Sequence, residues 1–187
     1  MDENLFINDY WNLYQKALSV DVSSELIDFK NLCLQVKSNH NKLMFAGNGA
    51  SASIASHAAL DFTKQAKVQS MAFNDHSLIT AYSNDYGYQN WVAKCIDSYA
   101  RSGDVVVLIS SSGNSSNIVK AAKRAKELNL SVVTFSGFDS GNKLKQFGDI
   151  NFWLDSKAYN IIESVHGIWM FAVVDMLVGK AVYNVSI

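Results

Sequence analysis

Apolar residues recur at helical spacing from the start of the chain: Leu5, Phe6, Tyr10, Leu13, Tyr14, Ala17 and Leu18 predict a helix over 4–19. A second helix is expected over 23–37, with Ser23 as N-cap and Ile27 and Leu32 turned inward. The period then changes. Residues 42–46 (KLMFA) form a short apolar run that leads directly into Gly47-Asn48-Gly49, which predicts a buried strand and a tight turn. A helix follows over 51–65, and 68–73 has strand character. The middle predicts a short helix over 78–82, a turn at Asn84-Asp85-Tyr86-Gly87 and a helix over 89–100.

The run VVVLIS at 105–110 has no polar alternation, as in a strand covered on both faces. The serine-rich turn 110–116 connects it to an amphipathic helix over 118–128. A strand over 131–135, a loop at 137–141, a short helical turn at 144–147, a strand over 150–154 and a long helix over 159–182 complete the chain. Strands alternating with helices predict an α/β fold: a three-layer α/β/α sandwich around a central, mostly parallel sheet, with extra helices ahead of the first strand. The 187 residues carry no internal repeat or linker, so a single domain over 1–187 is expected.

Composition narrows the partners. Net charge is −1, so neither nucleic acid nor an anionic membrane is an expected partner. Charged residues are 18% of the chain against a usual share of about 25%. Read with an oligomer, that deficit predicts that the first two helices and the last one bury faces against other subunits. The two cysteines, Cys33 and Cys95, make no CxxC or metal spacing, which fits a reducing compartment. The beginning, MDENLFINDY, lacks the basic and apolar regions of a signal peptide, and apolar runs such as 168–174 are too short to span a bilayer. A cytoplasmic location is the expectation. The chain has no proline, which excludes PxxP segments and cis-proline turns.

Two strand-to-helix turns carry the candidate chemistry: Gly47-Asn48-Gly49-Ala50-Ser51 and Ser110-Ser111-Ser112-Gly113-Asn114-Ser115-Ser116. Both fall at carboxyl ends of predicted strands, where open α/β sheets bind ligands. Small residues at a helix N-terminus present free amides and a positive dipole end to an anion. Serine hydroxyls without a lysine point to a phosphate monoester held by hydrogen bonds, and neither turn has the Lys-Ser/Thr ending of a P-loop. Ordinary helix capping by Ser and Asn is the alternative for either turn. His57 and Asp61 share one helix face, as a metal pair, a base with its partner, or a solvated polar pair. Glu163 and His166 open the last helix on one face and form a candidate acid/base pair, the alternative being a capping glutamate with a core histidine.

Together these segments resemble the sugar isomerase (SIS) family, and within it the sedoheptulose-7-phosphate, or phosphoheptose, isomerases. GNGASASIASHAALD resembles that family's GNGGSA…H…E segment, LITAYSNDYGY its LTA…ANDYGY segment, and GDVVVLISSSGNSSNIVKA its GDVL…STSGNS…I segment. TFSGFDSG is similar to TGxDGG, and IIESVH to IQEVH; the resemblance spans residues 2–182. It implies a SIS, flavodoxin-like fold and interconversion of a seven-carbon ketose phosphate with heptose 7-phosphate for surface heptose (lipopolysaccharide or capsule) synthesis. It also implies a homotetramer with sites at subunit interfaces.

By the same resemblance, Ser110, Ser111, Ser112 and Ser115 hold the phosphate, and Asn48, Gly49, Ser51, Asn84 and Asp85 line the sugar chain. His57 matches a zinc-ligand histidine, Asp61 stands where the family has a glutamate that is ligand and base, and Glu163 where it commonly has glutamine. The family's second catalytic and zinc-binding histidine is here Phe171. A zinc site is thereby reduced to His57, Asp61 and Glu163, and Asp61 and Glu163 remain as the acid/base groups. The missing histidine also keeps open a second class, the non-catalytic phosphosugar-binding regulators and the DnaA-associating initiator branch of the same fold.

Overall fold

The structure, a computed structural model, describes residues 1–183. The helices are α1 (Glu3–Leu18), α2 (Ser23–Ser38), α3 (Ala50–Lys64), α4 (His76–Tyr86), α5 (Trp91–Tyr99), α6 (Ser116–Glu127) and α7 (Tyr159–Val178). The strands are β1 (Leu43–Ala46), β2 (Ser70–Ala72), β3 (Val105–Ser110), β4 (Ser131–Ser136) and β5 (Ile150–Trp153). All strand pairs are parallel, and the sheet order is β2-β1-β3-β4-β5.

Every residue of β1 and β3 is buried, because helices cover both faces of the sheet. Leu43, Phe45, Val105, Val107 and Ile109 pack on one side with residues of α1, α2, α3 and α7. Met44, Ala46, Val106 and Leu108 pack on the other with α5 and α6. Period-two alternation thus feeds two cores, which is why these strands read as unbroken apolar runs. Under α2, Phe29 packs against Phe62, Phe135 and Phe152, and the Phe135 and Phe152 rings stack 4.4 Å apart. Each such ring contributes about 2–3 kcal/mol by leaving water. Trp169 of α7 rests on Phe152, so this cluster seats the helix that carries Glu163.

Several boundaries differ from the expectations. Val22, not Ser23, is the N-cap of α2 and gives it no side-chain cap; just before it, the Asp21 carboxylate accepts the Ser23 N–H at 3.0 Å. Helix α4 is longer than predicted because Asp75 caps it, accepting from Ser77 and Leu78. Asn84, Asp85 and Tyr86 therefore finish a helix instead of forming a turn, and Gly87 at φ +79° ends it. Helix α7 stops at Val178, short of 182, because Gly179 adopts the left-handed conformation. At 20 residues with mean hydropathy 1.7, α7 is long and apolar enough to cross a membrane by length and composition, contrary to the estimate from short runs. Its apolar side is instead spent on the core: Ile161, Ile162, Val165, Met170, Val173 and Val174 are all buried.

Candidate active site at the switch point

The chain runs from β1 out to β2 on one side, then returns to β3 and continues to β4 and β5 on the other. The turns after β1 and β3 therefore diverge and leave a crevice between them, where this topology accepts ligands. In the first turn, a Cβ on Gly47 would lie 2.7 Å from Ser51 backbone atoms, so only glycine lets α3 start so close to β1. In the second, Gly113 at φ +65° bends the serine run back, and a Cβ there would lie 2.1 Å from Oδ1 of buried Asn142.

Ser110 and Ser111 are buried at the mouth of β3, and Ser110 Oγ donates to Ser115 Oγ at 3.1 Å. Asn48, Ser51, Ser110, Ser111, Ser112, Ser115, Tyr159 and Glu163 surround a cavity of about 140 Å³. Neither Gly49 nor Ser115, the N-caps of α3 and α6, makes a side-chain capping bond. The first amides of both helices thus have no side-chain acceptor at their caps, and the capping alternative is not what these turns do. At α3 the Ser51, Ala52 and Ser53 N–H groups bond to the Asn48 and Gly49 carbonyls, so it is the serine hydroxyls at the positive end of α6 that make this cavity complementary to a phosphate group.

Glu163 links this cavity to a second one. It lies in the first turns of α7, and its Oε1 accepts from Ser111 Oγ at 3.1 Å. It also lines an adjoining hollow of about 290 Å³ with Ser53, Ile54, His57, Gly167, Ile168 and Phe171. His57 and Asp61 lie one turn apart on α3, with His57 Nε2 3.1 Å from Asp61 Oδ2. The Phe171 ring lies against the imidazole, centroids 4.3 Å apart. His57 faces the hollow, while Asp61 sits behind it and lines neither cavity.

A family model described as SIS domain matches residues 8–137. The chain is 33% identical to a phosphoheptose isomerase of Helicobacter pylori strain P12 over 142 residues, 73% of each protein. It is 32% identical over 157 residues to one from Akkermansia muciniphila, 81% of this chain and 82% of the relative. The chain belongs to the SIS-domain phosphoheptose isomerase family. Among solved structures, the family's phosphoheptose isomerase from Neisseria gonorrhoeae superposes with a TM-score of 0.84 at 29% identity, over 93% of this chain and 95% of that one.

Against the family pattern, this SIS chain gathers its residues unevenly. The four serines, Asn48, Ser51 and Glu163 meet around one cavity. Gly49 shapes the turn at φ +56° without lining the cavity. Asn84 and Asp85 do not meet the others: both are exposed at the end of α4, with Asn84 Nδ2 donating to Asp85 Oδ1 at 2.9 Å. His166 is not half of an acid/base pair with Glu163. It is fully buried against Phe135 and Trp169, its Nε2–H donates to the Ser136 carbonyl at 3.1 Å, and burial pushes its pKa down to about 4. The imidazole is a neutral core group. Both cysteines are buried, and burial raises the Cys95 thiol to about 12, so neither offers a thiolate.

The donor set does not fit a zinc ion. Among the described residues, no group of three or more His, Cys, Asp and Glu side chains is gathered closely enough to hold one. His57 and Asp61 stand as a pair, the Glu163 carboxylate is bonded to Ser111, and the apolar Phe171 ring lies against the imidazole. Catalytic zinc needs three protein ligands.

Three residues around the site escaped the sequence reading. Tyr159 lines the serine cavity and packs edge-on to Phe138, itself at φ +57°. Tyr88 and Asn117 bond to Asn48. Asn117 had a readable signal: with Ala121 and Ala125 it forms an i, i+4, i+8 stripe that is buried throughout, and a polar side chain at the head of such a stripe needs a specific partner.

Proposed function

We propose that this chain is an aldose–ketose isomerase of a phosphorylated sugar, converting sedoheptulose 7-phosphate to D-glycero-D-manno-heptose 7-phosphate for surface heptose synthesis. One observation carries the proposal: a serine-lined anion cavity at the switch point is joined, through the single carboxylate Glu163, to a hollow holding a histidine. The family relatives named phosphoheptose isomerase agree with it.

In this mechanism the phosphate binds Ser110, Ser111, Ser112 and Ser115 and the first amides of α6. That anchor directs the carbon chain along Asn48 and Ser51, and fixing the geometry supplies much of the rate. Isomerisation moves one proton between C1 and C2 through an enediol, and a hydroxyl proton between the two oxygens. Glu163 takes the proton from C1 and returns it to C2; His57, oriented by Asp61, donates a proton to the C2 oxygen and recovers one from the C1 hydroxyl. No atom enters or leaves. The division of labour rests on reach: Glu163 and His57 line the hollow, whereas the shorter Asp61 is engaged behind the imidazole.

The working form is a homotetramer with sites at subunit interfaces. Leu5, Phe6, Ile7, Trp11 and Leu13 on α1 are exposed apolar residues on one short segment, a surface that single soluble chains rarely keep open. Light scattering at micromolar concentration is expected to give the tetramer mass, and a monomer would overturn this assignment. The one observation that favours a non-catalytic regulator is Phe171 on His57. An NMR assay with sedoheptulose 7-phosphate, with and without added zinc, decides. Conversion rejects the regulator; calorimetric binding of sugar phosphates without any conversion rejects the isomerase.

A further inference from the structure

We propose that Asn117 is a positioning residue of this site, clasped to Asn48 so that Asn48 offers the substrate a hydrogen-bond donor and nothing else. The role assigned to that donor rests on the isomerase function proposed above; the clasp itself does not. Asn48 stands in the turn after β1, and Asn117 in the first turn of α6 after β3. Asn48 Nδ2 donates to Asn117 Oδ1 at 3.0 Å, and Asn117 Nδ2 donates back to Asn48 Oδ1 at 2.9 Å. Tyr88, just past α4, donates its hydroxyl to the same Asn48 Oδ1 at 3.0 Å.

The Asn48 carbonyl oxygen has two lone pairs, and both are taken. Of the two Nδ2 hydrogens, one is committed to Asn117 and one is free. Asn48 lines the serine cavity, so what it presents there is one N–H in an orientation set by a reciprocal amide pair. Without the clasp, the amide could rotate and present its oxygen, which would repel a substrate oxygen gaining charge. Asn117 is 1% exposed, so it touches no ligand and acts only through Asn48. The clasp also joins the two turns that diverge at the switch point, so the donor keeps its place relative to the phosphate anchor.

An N–H held toward an oxygen that becomes an enediolate stabilises the transition state more than the bound ketose. The effect therefore belongs mainly in kcat. Asn48→Ala is expected to lower kcat about 100-fold, the scale for losing one such donor. Asn117→Ala is expected to lower it about 10-fold with KM changed less than about threefold, and Asn117→Asp, which can accept but not return a bond, falls between wild type and Asn117→Ala. The deciding measurement is the double variant Asn48→Ala/Asn117→Ala with sedoheptulose 7-phosphate. If Asn117 works through Asn48, the double is no slower than Asn48→Ala alone; losses that multiply, or an Asn117→Ala protein with wild-type kcat, overturn the proposal.

A substrate-free measurement separates this from the function. Side-chain amide exchange by NMR should show protected Asn117 Nδ2 hydrogens in the wild type and loss of that protection in Asn48→Ala. Unprotected hydrogens in the wild type overturn the clasp whatever the enzyme does. A wild-type chain that shows the protection but isomerises no sugar phosphate overturns the function, and with it the enediolate role of the donor, while the clasp stands.

Discussion

Gly113→Ala is the sharpest test of how the serine turn is built. The residue sits at φ +65°, where any side chain strains the backbone, at a cost of about 1 kcal/mol. The added methyl would also lie 2.1 Å from Asn142 Oδ1 and 2.2 Å from its Cγ, so the Asn142 side chain must leave. Asn142 is buried and donates to Ser136 Oγ, the Gly137 carbonyl and the Asp139 carbonyl, while its Oδ1 accepts the Lys145 N–H at 3.1 Å. Two amide hydrogens and one acceptor lose their partners, at about 1 kcal/mol each. The sum is about 4 kcal/mol, a large share of the stability of a domain this size. Asn142 braces the loop after β4, and that loop bonds to the serine turn through the Gly137 N–H to the Ser111 carbonyl and the Leu144 N–H to the Gly113 carbonyl, each at 2.9 Å, so the phosphate anchor should loosen as well. Urea denaturation should show the midpoint falling with an unchanged slope, and calorimetry should show sugar-phosphate affinity falling about tenfold or more. Gly141→Ala in the same loop is the control: a Cβ there meets nothing within 4 Å, so its stability should stay within about 0.5 kcal/mol of wild type. A Gly113→Ala protein that loses less than about 1 kcal/mol would refute the role given to Asn142.

Glu163→Gln should lower kcat by about 10²–10⁴-fold, the range for losing a general base, and sugar-phosphate binding measured by calorimetry should persist; full turnover would move the base elsewhere. Asp61→Asn removes the carboxylate behind His57 and leaves the imidazole in place, so a smaller loss in kcat is expected, and an effect larger than that of Glu163→Gln would reverse the two assignments. Phe171→His should create a zinc site with His57 and Asp61, seen as micromolar zinc affinity by titration calorimetry; no gain over wild type would contradict the view that the Phe171 ring keeps the ligand set short. The depressed pKa of His166, about 4 against 6.5, means that the unfolded chain binds this proton first as pH falls. Stability from this residue is complete above about pH 6.5 and fades toward pH 4, by about 3 kcal/mol in all. His166→Met should flatten the denaturation midpoint between pH 7 and 4.5, and a slope equal to that of the wild type would disprove the buried neutral imidazole.

The sequence by itself determined the layered architecture and the position of the anion cavity. Short unbroken apolar runs at β1 and β3, bounded by turn residues and β-branched in β3, read as strands covered on both faces, and the glycines and serines at their ends as sharp turns into helices. Those signals are local, since they depend on the period of a few residues and on the conformational freedom of single positions. The extents of α4 and α7 were less legible, because Asp75 and Gly179 set them through cap geometry. Tertiary structure alone decided which polar groups work together. His166 reads in sequence like a partner of Glu163, yet a helical step of three turned it into the aromatic core, where burial keeps it neutral. Asp61 reads like a base, yet its carboxylate is engaged with His57. Asn48 and Asn117 lie 69 residues apart and meet because β1 and β3 are sheet neighbours. Their pairing depends on angles and distances between separate elements, and no periodicity along the chain encodes those.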